Sequence, residues 1–155
     1  PSLSEDWDNI GLLVGNPDST AERVLVCLDV TQRVLEKAVR DSVNLLISHH
    51  PVIFKPIEAI TSDSAKGRLL AGLIRHDINV YCMHTNFDSA PEGLNQLLAN
   101  VLELRNSEIP EGGLGRFGST DKSYTMREFI KHVKNCLKIN YCPTRENMIW
   151  CCGKR

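Results

Sequence analysis

The chain has 155 residues and a mass of 17.4 kDa, with 42% hydrophobic and 24% charged residues, as in an ordinary globular protein. Its formal net charge is -1, and its lysines and arginines are spread along the chain, which argues against a nucleic-acid-binding surface. No apolar stretch approaches the roughly 18 to 20 residues of a membrane span, so we expect no membrane partner.

Three short apolar runs are predicted to be strands, at residues 24–28, 45–48 and 78–83. Helices are predicted after each of them, from an N-cap at Thr31, from apolar spacing over about residues 63–76, and from the capping box Ser89-x-x-Glu92. Apolar strands that alternate with helices are typical of a parallel sheet covered on both faces. We therefore predict the α/β class, with a largely parallel mixed sheet flanked by helices.

The rest of the chain gives weaker signals. The glycine-rich residues 112–118 lack both the G-x-G-x-x-G pattern and a Walker lysine, so we interpret them as a turn and not as a phosphate loop. A second capping box, Thr125-x-x-Glu128, predicts another helix. Residues 140–152 resemble two short strands. We expect one α/β domain over residues 1–155, and the strand-like end leads us to expect the N-terminal part of a longer protein.

The six cysteines favour a reducing compartment. None forms a C-x-x-C pair, and Cys27 and Cys82 lie within apolar strand-like runs, where a free thiol behaves as a small hydrophobic group. We therefore favour reduced, structural thiols over a disulfide framework, and a cytoplasmic location with organellar and nuclear locations left open.

Imidazoles and carboxylates follow the predicted strands. His49 and His50 come directly after the second strand, His84 and then Asp88 follow the third, and Asp29 follows the first. Because ligands of parallel α/β sheets bind at the carboxyl ends of the strands, we expect these side chains to lie at one edge. Imidazole and carboxylate suit zinc, iron, manganese or similar ions, and neighbouring histidines can each serve one ion of a pair.

Other interpretations of the same residues stay open. The His-His-Pro sequence can end a strand through hydrogen bonds alone, and Asp88 is also favoured by the dipole of a following helix. For Asp29 we favour a structural role, or a role in holding another ligand in place. His84 either orients a ligand or acts as a catalytic acid–base group.

Five segments of this chain stand in the order of one family: EDWDNIGL (residues 5–12), LDVT (28–31), SHHP (48–51), HTNFDSA (84–90) and GLGRFG (113–118). In these motifs the chain resembles the Nif-three-like proteins (Ngg-one-interacting-factor-three-like), whose bacterial members are labelled YbgI-like or GTP cyclohydrolase I type 2 homologues. The resemblance implies an α/β fold with a dinuclear metal centre, and dimers stacked into a hexamer.

The resemblance also implies which residues bind metal. The family's ligands include both residues of the His-His pair and the aspartate of the H-T-x-x-D motif, which match His49, His50 and Asp88. Its remaining ligands lie in an H-x-x-x-E motif, and after Arg116 this chain has no such motif, since His132 is followed by Cys136. Either the chain is truncated or this protein does not build the full centre.

Two functions follow as hypotheses. The first is a metal-dependent hydrolase of a nucleotide or related small molecule, with two divalent ions and with His84 carrying the proton; GTP cyclohydrolase activity is implied by the resemblance alone. The alternative is a non-enzymatic, metal-stabilised oligomer with a protein partner and an interaction or regulatory role. Metal handling is a third, narrower hypothesis.

Overall fold

A computed structural model of the chain describes residues 3–140, and the chain divides after Leu94 into two compact units. The strands of the first unit are β1 (Gly11–Val14), β2 (Val24–Cys27), β3 (Leu45–Ser48) and β4 (Asn79–Cys82). Its helices are α1 (Gln32–Arg40), α2 (Ala65–Arg75) and α3 (Thr85–Ser89). The strands form one sheet in the order β1-β4-β3-β2.

The predicted parallel arrangement is confirmed for β2, β3 and β4. Their register places Cys27, Ser48 and Cys82 in one row, so the three strands end at the same edge of the sheet. Strand β1, which was not predicted, pairs antiparallel with β4 and makes the sheet mixed. The α/β class with a largely parallel mixed sheet is therefore confirmed.

One face of the sheet forms the core. Leu46 of β3 and Val80 of β4 are paired in register and are fully buried, together with Ala38 of α1 and Leu73 of α2. Burying a side chain of the Leu or Val type contributes about 1.5–3 kcal/mol, so this layer stabilises the strands that carry the histidines.

The opposite face of the sheet carries exposed apolar side chains. Val26, Ile47 and Tyr81 are aligned across β2, β3 and β4, and Val26 is 73% and Tyr81 39% exposed. Among the described residues, helices bury only one face of the sheet, whereas we predicted that helices cover both faces.

The predicted N-caps are confirmed at two of three places. Thr31 caps α1 by accepting a hydrogen bond from the Val34 amide, and Thr125 forms the predicted capping box with Glu128. The box predicted at Ser89 is wrong, because Ser89 is already the last residue of the short helix α3. The next helix begins five residues later, at Leu94.

The second unit contains α4 (Leu94–Val101) from Asn95 onward, β5 (Arg105–Glu108), β6 (Phe117–Ser119) and α5 (Met126–Leu137). Strands β5 and β6 pair antiparallel, and the glycine-rich segment connects them. Gly112, Gly113 and Gly115 have positive φ, which agrees with the predicted turn.

The two strands predicted in residues 140–152 fall almost wholly outside the described residues. The expectation of one domain over residues 1–155 stays a prediction. Within residues 3–140, no helix combines the length and the apolar character needed to cross a membrane.

Candidate metal centre

The backbone ladder of the sheet continues past the strand ends and fixes the His-His pair. The amide of His49 donates to the carbonyl of Cys27 at 3.1 Å, and the amide of His50 donates to the carbonyl of Leu28 at 2.9 Å. On the other side of β3, the Met83 amide donates to the Ser48 carbonyl at 2.9 Å. The residues after β2, β3 and β4 are thereby held side by side.

Three imidazole rings meet at this edge. The ring centroid of His49 lies 5.1 Å from that of His50 and 5.2 Å from that of His84, and the His50 and His84 centroids are 5.9 Å apart. One ring nitrogen of each histidine lies within 4.8 Å of the others, which is close enough for the three to share an ion. The side chains of His49 and His84 are 19% and 20% exposed, so the cluster is sheltered but reaches the surface.

Hydrogen bonds fix which nitrogen of each ring carries the proton. His49 Nδ1 lies 3.1 Å from the Met83 carbonyl oxygen, which can only accept, so this nitrogen donates. His50 Nδ1 lies 2.7 Å from Asp29 Oδ1, and His84 Nδ1 lies 2.9 Å from Asp8 Oδ1. With every Nδ1 facing an oxygen acceptor, the Nε2 lone pairs remain for a ligand, which is the usual support for a metal-binding imidazole.

Asp8 is the buried anchor of this arrangement. Its side chain has no exposed surface, and its carboxylate accepts from Thr85 Oγ1 at 2.5 Å, from the Thr85 amide at 3.1 Å and from the Asn9 amide at 2.8 Å, as well as from His84. Burial by itself raises the pKa of Asp8, but these hydrogen bonds together outweigh it and leave the pKa below its ordinary value. Asp8 is therefore an ionised acceptor that holds His84.

The segment around Asp8 is attached at three further points. The Glu5 amide donates to Thr85 Oγ1 at 3.2 Å, and Asn9 Nδ2 donates to the carbonyl of Ile53 at 2.6 Å. The Trp7 ring also meets the Phe54 ring edge-on, with centroids 6.2 Å apart. The segment before β1 thus connects the loop after His50 with the start of α3.

Asp88 lies beside the histidines. Its Oδ2 is 3.9 Å from His49 Nε2, and its side chain is 21% exposed. The amides of Phe87 and Asp88 both donate to the carbonyl of His84, so α3 places the carboxylate one turn beyond the third imidazole. Asp88 adds an oxygen donor next to the three nitrogens.

The donor set fits a divalent ion that prefers nitrogen and oxygen ligands. Imidazole with carboxylate is the chemistry of zinc, iron and manganese sites. Cys82 lies at the same strand end, but its buried thiol donates to the His49 carbonyl at 3.3 Å, and burial raises its pKa to about 11. The site is therefore one of imidazole and carboxylate, without a thiolate from β4.

The structure brings together the residues that the sequence pointed to. The three rings of His49, His50 and His84 form the cluster, Asp88 adjoins it, and Asp29 binds His50, as expected of a residue that holds a ligand in place. The two roles predicted for His84, orienting a ligand or acting as an acid–base group, stay predictions, and its Nε2 is the nitrogen that an acid–base role would use.

Sequence reasoning missed the roles of Asp8 and Thr85. Asp8 stands in the acidic EDWDN segment quoted above, but its partner His84 lies 76 residues away. The one available signal was the density of polar residues in that segment, which precedes the first strand.

Known proteins match most of the chain. A family model described as Duf34/NIF3 (NGG1p interacting factor 3) matches residues 1–152. A Clostridium acetobutylicum protein named GTP cyclohydrolase 1 type 2 homolog is 34% identical over 159 residues, a match that takes in 96% of this chain and 59% of that protein. A Staphylococcus aureus protein of the same name is 43% identical over 108 residues, which are 70% of this chain and 29% of that protein.

Solved structures agree with the sequence matches. Reduced HcgD from Methanocaldococcus jannaschii superimposes with a TM-score of 0.77 and 35% identity, over 86% of this chain and 53% of that chain. A hypothetical protein of Staphylococcus aureus gives the same TM-score with 30% identity, over 90% of this chain and 60% of that chain. The chain thus spans less than two thirds of the length of these relatives.

Proposed function

Because this chain belongs to the Duf34/NIF3 family, as its motifs predict, we propose that it binds divalent metal and acts as a metal-dependent hydrolase on a nucleotide or a related small molecule. The observation that carries the proposal is the group of three imidazoles, each with its Nδ1 engaged and its Nε2 available. The names of the relatives make a guanine nucleotide the first substrate to test.

His49, His50 and Asp88 would hold the metal. Their nitrogen and oxygen donors come from the end of β3 and from α3, which follows the neighbouring strand β4, so the ligands are in place before an ion arrives. When bound, a divalent ion supplies a Lewis acid that polarises the substrate and makes water a better nucleophile. We propose two ions, in keeping with adjacent histidines that each serve one.

His84 would carry the proton. Its Nδ1 is committed to the Asp8 carboxylate, so Nε2 is the atom that accepts a proton from water or returns it to the leaving group. Asp8 stays ionised and faces the ring, where it compensates the charge of the protonated imidazole and keeps its orientation. The half-buried position of His84 leaves a path for the proton.

Two further parts of the proposal concern the whole protein. We propose that it assembles as a homo-oligomer and that it works in the cytoplasm. The free thiols of Cys27, Cys82 and Cys136 are compatible with a reducing compartment. Light scattering on the purified protein tests the assembly, and a monomeric mass at all concentrations would refute it.

Metal content and turnover, measured together on the same preparations, test the function. The protein is loaded with Zn2+, Mn2+ or Fe2+, dialysed, analysed for metal and assayed on a panel of nucleotides. We expect His49→Ala and Asp88→Ala to lower metal content and abolish turnover, and His84→Gln to keep metal but lower turnover at least tenfold. His76→Ala, an exposed histidine at the end of α2, is the matched control and should change neither quantity.

The outcomes separate the two hypotheses from one another. If His49→Ala loses metal and the wild type turns over no substrate, the non-enzymatic interaction protein is favoured. Metal content that is equal in the wild type and in the His49→Ala and Asp88→Ala variants would refute the proposed site altogether.

A further inference from the structure

A second group of metal-ligating side chains lies in the other unit. Glu103, His132 and Cys136 each offer one donor atom, and these three atoms lie within 4.8 Å of one another. Glu103 lies in the turn that follows α4, and the other two residues are on α5. None of them belongs to the cluster formed by His49, His50 and His84, so this group requires its own explanation.

The helix places the imidazole and the thiol on one face. His132 and Cys136 are four residues apart on α5, which is the spacing at which two helical side chains meet. Cys136 Sγ lies 3.8 Å from His132 Nδ1 and 3.5 Å from His132 Nε2. In a tetrahedral zinc site with the usual bond lengths, a sulfur and a nitrogen ligand are about 3.5 Å apart. The pair is therefore close to the separation that a shared ion requires.

The imidazole is held in the tautomer that binding needs. His132 Nε2 lies 3.1 Å from the Leu102 carbonyl oxygen, which can only accept, so Nε2 carries the proton, and Nδ1, which lies 3.8 Å from Cys136 Sγ, keeps its lone pair for an ion. A ligating histidine usually donates its other N–H in this way. The ring also stacks on Phe129, with centroids 5.9 Å apart, and its side chain is 16% exposed, so its orientation is restricted.

Glu103 supplies a third donor from outside the helix. Its Oε2 lies 3.8 Å from His132 Nε2, the nitrogen that donates to Leu102, so the carboxylate must turn to reach an ion bound at Nδ1. Its side chain is 69% exposed, so it can turn without a cost in packing. Glu103 also has a positive φ of 59°, a conformation that glycine adopts more readily. The backbone conformation therefore does not favour glutamate at this position, and we attribute its presence to the carboxylate.

We propose that Glu103, His132 and Cys136 form a zinc site separate from the centre at the sheet edge. Thiolate and imidazole together select zinc over magnesium, calcium or manganese, and the carboxylate completes three protein ligands. A fourth tetrahedral position remains for water or another ligand.

Cobalt(II) is the probe, because a thiolate ligand gives it a charge-transfer absorption band in the near ultraviolet that imidazole and carboxylate do not give. The full chain is titrated with Co2+ under a reducing, oxygen-free atmosphere, and Zn2+ is then added. We expect one equivalent to produce the band and Zn2+ to remove it. Cys136→Ser should abolish the band, and His132→Gln should weaken Co2+ binding at least tenfold, while its amide can still donate to Leu102.

Matched variants locate the sulfur and separate the two metal sites. Cys27→Ser and His49→Ala should keep the band at full intensity. A band that persists in Cys136→Ser, or that disappears when Cys142, Cys151 and Cys152 are changed together to serine, would overturn the assignment. Absence of the band in the wild type would also overturn the assignment. If a protein lacks the band but still binds metal at the sheet edge, the zinc-site proposal fails while the proposed hydrolase function is unaffected.

Glu103→Gly distinguishes a ligand from a structural contact. Glycine relieves the positive φ, so the metal-free variant should melt at the same or a higher temperature than the wild type. The same change should weaken Co2+ binding several-fold if the carboxylate is a ligand. Unchanged affinity in this variant would remove Glu103 from the site.

Discussion

Replacing Asp8 by asparagine isolates the contribution of the buried carboxylate. Oδ1 accepts from His84 Nδ1 and the Asn9 amide, and Oδ2 accepts from both the hydroxyl and the amide of Thr85. Whichever way the new amide is oriented, its NH2 group faces two of these donors. A hydrogen bond to a charged group is worth about 1.5–3 kcal/mol, and the Thr85 hydroxyl can rotate to compensate in part, so we expect a loss of about 2–4 kcal/mol.

The loss should depend on pH in a defined direction. The pKa of Asp8 is lowered below its ordinary value of 3.8, so its contribution to folding is complete above that value and is lost as the pH falls through the folded-state pKa. The difference between wild type and Asp8→Asn should therefore shrink once the solution is acidic enough to protonate Asp8 in the folded protein.

Urea denaturation followed by circular dichroism measures this difference, with EDTA present so that no ion contributes. Asp6→Asn is the matched control, because it makes the same chemical change at an exposed position two residues away, and it should cost less than about 0.5 kcal/mol. Equal free energies of unfolding for the two variants, or a difference that is the same at pH 3 and pH 7, would refute the reasoning.

Three further changes test other parts of the structure. Gly67→Ala should destabilise the protein by at least about 2 kcal/mol although it lies in a helix, because the new Cβ would be 2.0 Å from the Thr61 carbonyl oxygen; a thermal melt measures this. Thr125→Ala should cost about 1 kcal/mol in the same assay, because it removes the capping box of α5. Cys82 should resist iodoacetamide at pH 8 in the folded protein, since it is buried with a pKa of about 11; mass spectrometry of its peptide reports the labelling.

Each of these has its own control. Gly72→Ala should be milder than Gly67→Ala, because its Cβ would meet the end of the Leu35 side chain, 2.5 Å away, and that side chain can move. Thr125→Ser keeps the capping oxygen and should behave as the wild type. Cys82 should label fully in denaturant. Equal melting temperatures for the two glycine variants, a Thr125→Ala protein as stable as wild type, or rapid labelling of folded Cys82 would contradict the respective argument.

The sequence predicted the parts of the fold that depend on local patterns. Apolar runs gave β2, β3 and β4, and because parallel strands end at one edge, the position of His49, His50 and His84 followed from topology. The capping box at Thr125 was right because its Glu128 is free to reach back in an exposed first turn.

Other parts depend on partners that are distant in sequence. Strand β1 begins at a glycine, and Cys82, the partner of Gly11, lies 71 residues along the chain, so the pairing that makes this short apolar run a strand is not a local pattern. The Ser89 box matched by spacing, but hydrogen bonds to the His84 carbonyl had already drawn that segment into α3. Asp8 was overlooked for the same reason as β1, because its role exists only when His84 is beside it.

The bond between Asp8 and His84 also has a consequence for the order of events in folding. It closes a loop of 76 residues. The entropic cost of closing so long a loop is offset only after the intervening strands have assembled. During synthesis Asp8 emerges before His84, so this bond forms only after the strands between them have emerged. An ion bound at this site would then slow the detachment of the segment around Asp8 from the sheet more than it slows the unfolding of the rest.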